Sequence, residues 1–157
     1  LNAASPGLAM DVAGGVGRHA IWLAQRGWRV KLVDISEAGV NQAQENAKKT
    51  ETTSSITTEI RDLNTSQDLG RAQYDLVVVF FFLQRELFPA LAAALKPGGH
   101  LIYKTYTVEQ QRFGGGPSHP MFLLEPNELL RAFSSMRVLY YHETIQEKGV
   151  AELVARK

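Results

Sequence analysis

The stretch Leu8-Ala-Met-Asp-Val-Ala-Gly-Gly-Val-Gly17 joins a short apolar run to a cluster of glycines. Over residues 16–26 the apolar side chains then recur at helical spacing, which predicts a strand, a glycine turn and a helix. Residues 28–33 follow as a second apolar run, which is closed by Asp34. The stretch and its surroundings therefore predict a complete βαβ unit.

The same alternation continues along the chain. Ser36 is a suitable cap for a second helix, and residues 74–80 form the continuous apolar run of a strand that is covered on both faces. The other predicted elements are a strand at 56–60, a helix over 87–95 that ends at Lys96-Pro-Gly-Gly99, a strand at 100–105, a short helix near Pro126 and a hairpin of residues 137–142 and 150–155. This order predicts an α/β fold with five strands alternating with helices, in which a Rossmann-like, doubly wound, mostly parallel sheet ends in an antiparallel hairpin.

The composition is that of one globular domain covering residues 1–157, with 45% hydrophobic and 21% charged residues. The net charge of +1 gives no signal for nucleic acid or anionic lipid. Cysteine is absent, which excludes disulfides and cysteine nucleophiles, and no apolar run approaches the ~20 residues of a membrane span. We expect a soluble, cytoplasmic protein, and the composition leaves its oligomeric state open.

The glycine turn opens a helix, so its backbone can approach a ligand closely. Asp34 lies about 17 positions beyond Gly17, at the end of the second strand, where a carboxylate accepts hydrogen bonds from ribose hydroxyls. The segment Gly15-Val-Gly-Arg-His-Ala20 also satisfies the G-x-G-x-x-G/A dinucleotide pattern, which keeps NAD open. The two signals together predict a site for a nucleoside-containing cofactor.

Residues 11–47, with Asp34-Ile-Ser36 after the second strand, resemble the class I S-adenosylmethionine-dependent methyltransferases. Residues 74–79 resemble the fourth strand of that family, and Leu95-Lys-Pro-Gly-Gly99 resembles its crossover into the fifth. A weaker likeness points to the tellurite-resistance and thiol methyltransferase-like group. The resemblance covers nearly the whole chain and implies S-adenosylmethionine as cofactor and S-adenosylhomocysteine as its product.

The resemblance also implies roles for individual residues. Asp11 and the glycine turn would border the methionine part of the cofactor, Asp34 would hold the ribose, and Asp62 would face the adenine amino group. The residues expected to bind the cofactor are Asp11, Ala13, Gly14, Gly15, Gly17, Asp34, Ile35, Asp62, Leu63 and Phe80. Ala13 replaces the first glycine of the family's D-x-G-x-G-x-G pattern, and we expect Gly14 to preserve the flexibility of the turn.

Methyl transfer is an in-line displacement in which alignment can suffice without a dedicated acid or base. The aromatic run of residues 80–82 and Tyr106, near the end of the fifth strand, place rings where they could meet the cofactor's positive charge. We take Tyr106 and His119 as catalytic candidates, His119 because it stands in a glycine-rich loop suited to a lid. Strand alternation should send Lys104 to the face opposite to Tyr103 and Thr105, and the sequence indicates no metal site.

Two absences favour a small-molecule acceptor: no Asn-Pro-Pro-Tyr-like tetrapeptide follows the fourth strand, and no cysteine exists for attack on a pyrimidine carbon. An NAD-linked oxidoreductase stays open, although the chain has no Tyr-x-x-x-Lys pair. A non-catalytic cofactor-binding module also stays open, because of Ala13 and because only residues 1–7 precede the first strand. That short start predicts either an open site or an incomplete chain. Replacing Asp34 by alanine should weaken cofactor binding by ~1.5–3 kcal/mol and leave a surface strand end.

Overall fold

The computed structural model of the chain describes residues 5–157, and within them it contains a seven-stranded sheet in the order β3-β2-β1-β4-β5-β7-β6. The elements in chain order are β1 (Leu8–Val12), α1 (Arg18–Ala24), β2 (Arg29–Asp34), α2 (Glu37–Lys49), β3 (Ile56–Ile60), β4 (Tyr74–Phe80), α3 (Phe88–Ala94), β5 (Leu95–Tyr106), α4 (Glu128–Ala132), β6 (Arg137–Thr144) and β7 (Val150–Arg156). Four short 3-10 turns lie between these elements in the described residues.

The strand order shows where ligands gather in such a sheet. The strands β1 to β5 pair in parallel, and β7 pairs antiparallel with both β5 and β6. The chain builds outward from β1 to β3 and then returns to place β4 on the other side of β1, so the order reverses between β1 and β4. Ligands of open α/β sheets bind at the carboxyl ends of the strands beside such a reversal. The predicted doubly wound fold with a closing hairpin is confirmed.

The central strand β4 is covered on both faces, as its continuous apolar run predicts. Val77 and Val79 belong to a core that includes residues of α3 and α4. Leu76 and Val78 belong to a second core, on the face covered by α1 and α2. The alternation along β4 therefore assigns each following residue to one face or the other, and this assignment decides where the aromatic residues after the strand lie.

Two details differ from the prediction. The predicted helix ends at Ala94, and Lys96-Pro-Gly-Gly99 lies inside β5, whose register with β4 shifts between Tyr74 and Leu76. Gly98 has a φ of 83°, so glycine lets the strand bulge at this point. In the described chain no α-helix separates β3 from β4, so the predicted alternation of five strands with helices is wrong at this step.

The structure also bears on how the chain relates to membranes. Within residues 5–157, none of the helices combines the length and the apolar character that a membrane span requires.

Candidate functional site

The glycine turn after β1 takes its shape from Ala13 as well as from its glycines. Ala13, Gly15 and Gly17 all have left-handed backbone, with φ of 55°, 52° and 83°. Gly14 does not share this conformation, but a Cβ on it would lie 2.7 Å from Leu32 Cγ and 2.8 Å from Asp11 Cγ. Gly14 is therefore required because a side chain there would clash with Leu32 and Asp11. Ala13 itself adopts the left-handed conformation for which the family uses glycine, at a cost of about 1–2 kcal/mol.

Asp34 ends β2 and holds the glycine turn in place. Its Oδ2 accepts a hydrogen bond from the Gly15 N–H at 2.8 Å, and its Oδ1 accepts one from the Ser36 N–H at 2.8 Å. The residue is only 9% exposed, so the expectation of a surface strand end is wrong. Each carboxylate oxygen keeps a further lone pair for a ligand, because an ionised carboxylate has about four acceptor positions.

Asp11 lies beneath the same turn and is 1% exposed. Its Oδ2 accepts a hydrogen bond from the Ala20 N–H at 3.1 Å, which joins β1 to the first turn of α1. Burial raises the pKa of Asp11 to about 7; the Ala20 hydrogen bond opposes this rise, and the nearby charge of Asp34 adds to it. Asp11 supports the turn from below and does not line the cavity above it.

A cavity of about 270 Å³, the polar cavity, opens beside this turn at the carboxyl ends of the strands. Its lining residues are Ala13, Asp34, Ile35, Arg61, Asp62, Leu63, Asn64, Phe81 and Phe82. Five of them, Ala13, Asp34, Ile35, Asp62 and Leu63, are among the residues that the sequence predicts to bind a cofactor. The structure therefore brings together the ends of β1, β2 and β3 as the predicted site requires.

Two predicted glycines of the turn, Gly15 and Gly17, have different surroundings. Among the described residues, no atom lies within 4 Å of where a Cβ of Gly15 would be, so this glycine faces open space. A Cβ on Gly17 would lie 3.0 Å from Ala43 Cβ, so Gly17 allows α1 and α2 to pack closely. Of the two, Gly15 is the one open to a ligand.

Asp62 and its neighbours form the outer wall of the polar cavity. Asp62 Oδ1 accepts hydrogen bonds from the backbone N–H and the side-chain amide of Asn64, both at 2.9 Å. Arg61 is held by Glu59 at 2.6 Å and donates to the Asp68 carbonyl at 2.6 Å. The sequence analysis missed Arg61 and Asn64, although both adjoin the predicted wall of Asp62 and Leu63.

Phe80 lies away from the polar cavity. Its ring stacks on His19 with the centroids 3.8 Å apart and the planes 9° apart, on the face of the sheet that α1 covers. These two residues line a separate apolar cavity of about 400 Å³, together with Arg18, Trp22, Leu23, Val78 and Ile102. Strand alternation puts Phe80 on the same face as Val78. The strand ends there, and after the left-handed backbone of Phe81 both Phe81 and Phe82 line the polar cavity instead.

A further cavity of about 290 Å³, the aromatic cavity, adjoins the polar cavity. Its lining residues are Phe81, Phe82, Leu83, Thr105, Tyr106, Pro117 and Phe122. Phe81 and Phe82 line both cavities, so these two residues form the wall between them. The buried Tyr103 hydroxyl donates to the Phe82 carbonyl at 2.8 Å and fixes the backbone of this wall.

The two catalytic candidates differ in position. Tyr106 lines the aromatic cavity, and its ring lies 4.9 Å from the ring of Phe81. His119 is not a lining residue; its Nδ1 accepts a hydrogen bond from the Met121 N–H at 3.2 Å, and its ring is 6.2 Å from Phe122. Lys104 alternates along β5 with the buried Tyr103 and Thr105, and its side chain pairs with Glu152 of β7. Within residues 5–157, no group of three or more His, Cys, Asp or Glu could hold a metal ion.

Arg85 holds the loop that closes the aromatic cavity, and sequence reasoning missed it. Its guanidinium pairs with Glu128 at the start of α4 and donates to the carbonyls of Met121, at 3.0 Å, and Leu123, at 2.8 Å. These bonds tie the segment after β4 to a loop more than thirty positions further along the chain. A single arginine in a loop carries no pattern that would reveal such a partner.

Solved structures share this architecture at low sequence identity. TehB from Haemophilus influenzae superposes with a TM-score of 0.84 and 22% identity, over 99% of this chain and 59% of that one. A S-adenosylmethionine-dependent methyltransferase from Mesorhizobium loti gives 0.78 and 18%, over 97% and 92% of the two chains. The [4+2]-cyclase SpnF gives 0.80 and 14%, over 99% and 76%. The present chain thus spans little more than half the length of TehB.

Sequence comparison identifies the family. No curated protein matches the chain. The family model described as a methyltransferase domain matches residues 9–99, which include the glycine turn, Asp34, Asp62 and the whole of β4. This match covers more than half of the 157 residues. The chain therefore belongs to the methyltransferase domain family.

Proposed function

We propose that this chain binds S-adenosylmethionine in the polar cavity and transfers its methyl group to a small molecule in the aromatic cavity. The observation that carries the proposal is the position of Asp34. Asp34 is the last residue of β2. Its carboxylate accepts a hydrogen bond from the Gly15 N–H and lines a cavity at the reversal of strand order. This is where a Rossmann-like sheet holds the ribose of a nucleoside cofactor.

The residues of the polar cavity suit each part of that cofactor. The free lone pairs of Asp34 can accept hydrogen bonds from the ribose hydroxyls. Ile35 and Leu63 offer apolar surface to the faces of an adenine ring, and Asp62 Oδ2 can accept from its amino group. Gly15 leaves open space beside the turn for the methionine part. The residues of the polar cavity therefore fit the cofactor, and its methionine end would contact mainly backbone.

The protein's own contribution to the reaction is positioning. Bound S-adenosylmethionine would supply an electrophilic methyl group on a sulfonium centre. Phe81 and Phe82 stand at the boundary between the cavities and present aromatic faces that favour positive charge. Holding two reactants in line can contribute roughly 7–11 kcal/mol to lowering the barrier. We assign Tyr106 to contact with the acceptor and His119 to the loop that covers it.

Neither alternative from the sequence gains support. The match to a methyltransferase domain accounts for Gly15, Gly17 and Asp34 without a nicotinamide cofactor. A non-catalytic module was left open by Ala13 and by the short segment before the first strand; of these two features, Ala13 no longer favours it, because Ala13 adopts the left-handed backbone that the turn needs. The likeness to a [4+2]-cyclase shows that this fold supports more than one chemistry, so methyl transfer is tested separately from cofactor binding.

The proposal extends to the setting of the protein. We place a single domain over residues 1–157, in the cytoplasm, where a chain without cysteine folds without any need for disulfides. The net charge of +1 favours a small-molecule acceptor over nucleic acid. Fractionation of cells that produce the tagged protein checks the location.

Calorimetric titration tests the proposal directly. S-adenosylmethionine, S-adenosylhomocysteine and NAD are titrated separately into the protein and into a matched Glu37→Gln variant, whose altered side chain is exposed at the start of α2. We expect saturable binding of the first two, unchanged in Glu37→Gln, and no binding of NAD. Binding of NAD alone would favour an oxidoreductase, and binding of none of the three would contradict the proposal.

A further inference from the structure

Phe81 has an unusual combination of properties. Its φ is 53°, in the left-handed region that bulky residues rarely adopt, and its side chain is 51% exposed. Its N–H donates to the Lys104 carbonyl at 2.7 Å, which fixes the strained backbone at the end of the β4–β5 pair. Both the strain and the exposed ring are unfavourable for folding. Backbone strain of this kind concentrates at functional sites.

The strained conformation places the ring between the two cavities. Phe81 lines the polar cavity beside Asp34 and the aromatic cavity beside Tyr106, whose ring is 4.9 Å away. Phe122, in the loop between β5 and α4, lines the same aromatic cavity and is 47% exposed. A flat molecule in the aromatic cavity would therefore meet aromatic side chains from both the sheet and the loop.

The aromatic cavity lacks a partner for a charged acceptor. None of its lining residues carries a formal charge, and the polar groups among them are the hydroxyls of Thr105 and Tyr106. The nearby cations are engaged elsewhere, Arg85 with Glu128 and Lys104 with Glu152. A carboxylate or phosphate would lose its hydration there without an ion pair in return, which is costly. The volume of about 290 Å³ suits a small molecule.

We infer that the methyl acceptor is an uncharged aromatic nitrogen base held in the aromatic cavity, and that Phe81 is the residue that positions it. This inference rests on the proposed function. The nitrogen lone pair forms the new bond to the methyl carbon while the electron pair of the breaking sulfur–carbon bond stays on sulfur. The positive charge thus passes from the sulfonium to the methylated nitrogen. A ring nitrogen without a hydrogen has no proton to lose, so the step needs no base.

The same cavity suits the product of this step. A methylated ring nitrogen is a cation without a hydrogen-bond donor, and such cations are recognised by aromatic faces. Phe81, Phe82, Tyr106 and Phe122 supply those faces. An alcohol acceptor, in contrast, would need a general base, and no carboxylate or histidine lines this cavity within the described residues.

Two compounds that share one ring system but differ in charge test the acceptor class. Isoquinoline is neutral, and an isoquinoline carboxylate is an anion at neutral pH. Each is titrated into the protein saturated with S-adenosylhomocysteine, and methylation from S-adenosylmethionine is followed by mass spectrometry. We expect the affinity for isoquinoline to be at least about tenfold higher than that for the carboxylate, and we expect isoquinoline to be N-methylated. Equal or tighter binding of the carboxylate would overturn the acceptor class while leaving the proposed function intact.

Variants separate positioning from folding. Phe81→Gly removes the ring and relieves the left-handed strain, so the fold should be retained; we expect kcat for isoquinoline to fall about tenfold or more because alignment is lost. Phe81→Tyr should restore kcat, and Phe122→Ala should raise KM for isoquinoline without changing S-adenosylhomocysteine affinity. The matched control is Phe113→Ala, an exposed aromatic of the same loop that lines neither cavity.

The outcomes separate the positioning role of Phe81 from the proposed function. Unchanged kcat in Phe81→Gly would overturn the positioning role, even with cofactor binding intact. Absence of S-adenosylhomocysteine binding in the unaltered protein would contradict the proposed function, and the inference would fall with it.

Discussion

The polar and aromatic cavities meet at Phe81 and Phe82 but are built in different ways. The polar cavity comes from short segments that follow β1, β2 and β3, and backbone N–H groups bonded to Asp34 hold its shape. The aromatic cavity is assembled from the ends of β4 and β5 and a loop that Arg85 ties down across the fold. Hydrogen bonds between residues less than twenty positions apart therefore shape the proposed cofactor side, whereas bonds between residues more than thirty positions apart shape the proposed acceptor side.

This difference teaches where each kind of specificity resides. A cofactor common to a family can be held by a compact motif with carboxylates at strand ends. An acceptor cavity made of apolar side chains has no such motif, because its chemistry depends on which rings the loops bring together. Changes on the two sides should accordingly be separable in cofactor affinity and in acceptor use.

The largest effect on cofactor binding should come from removing the Asp34 carboxylate. Asp34→Ala deletes the proposed hydrogen-bond acceptor for the ribose and leaves the Gly15 and Ser36 N–H groups unpaired. We expect S-adenosylmethionine affinity to fall roughly 10- to 100-fold and the free energy of unfolding to fall by about 1–3 kcal/mol. Calorimetry and denaturant unfolding measure the two. Unchanged affinity in a folded variant would remove Asp34 from the site, and Glu37→Ala, three positions further along the chain, should leave the affinity unchanged and cost less than about 1 kcal/mol of unfolding free energy.

A second test concerns the buried carboxyl under the turn. Burial raises the pKa of Asp11 to about 7, above the ordinary value of 3.8 for an aspartate carboxyl. Between these values the unfolded chain loses the proton while the folded protein keeps it. The free energy of unfolding should therefore decrease as pH rises from about 4 to 7, by on the order of 2–4 kcal/mol.

Asp11→Asn supplies the comparison for that pH profile. The amide stays uncharged and keeps an oxygen toward the Ala20 N–H, so its unfolding free energy should be flatter across the same window. Denaturant unfolding at a series of pH values gives both profiles. Parallel profiles for the two proteins would show that Asp11 is not the titrating group.

The acceptor side is tested by releasing its loop. Arg85→Ala removes the pair with Glu128 and the bonds to the carbonyls of Met121 and Leu123. Because these are charge-assisted bonds, we expect a loss of about 1.5–3 kcal/mol in unfolding free energy and faster proteolysis within residues 113–122. S-adenosylmethionine affinity should stay the same. Arg112→Ala, which removes a 66% exposed guanidinium from its pair with the partly buried Glu109, should cost less than the loss of Arg85.

The smallest effect concerns the residue that departs from the family pattern. Ala13→Gly relieves a left-handed backbone at a φ of 55°, so the free energy of unfolding should rise by about 0.5–1 kcal/mol. The matched change Ala38→Gly, on the exposed face of α2, should lower it by about 1 kcal/mol. If both substitutions destabilise the protein equally, the strain assigned to Ala13 is absent.

Much of this architecture is predictable because its signals are local. The spacing from the glycine turn to Asp34, the continuous run of β4 and the closing hairpin all depend on neighbouring residues. The place of Asp62 at the end of β3 follows in the same way, since parallel strands end at one edge of the sheet. Local pattern therefore predicts the fold and most of the polar cavity.

The errors arise where tertiary contacts decide. Phe80 and Phe81 are adjacent and chemically identical, yet strand alternation and a left-handed backbone send them to different cavities. Lys96-Pro-Gly-Gly99 is typical of a helix end, but its glycines serve a bulge within β5. The bonds of Arg85 join segments whose sequence separation leaves no periodic signal. None of these outcomes is encoded within one short window of residues.

The central claim is that cofactor and acceptor occupy two cavities that meet at Phe81. A crystal structure of the protein with S-adenosylhomocysteine tests it most directly. We predict density for the ribose beside Asp34, adenine between Ile35 and Leu63, and the sulfur facing the wall of Phe81 and Phe82. Density in the apolar cavity beside His19 and Phe80, with the polar cavity empty, would contradict the account.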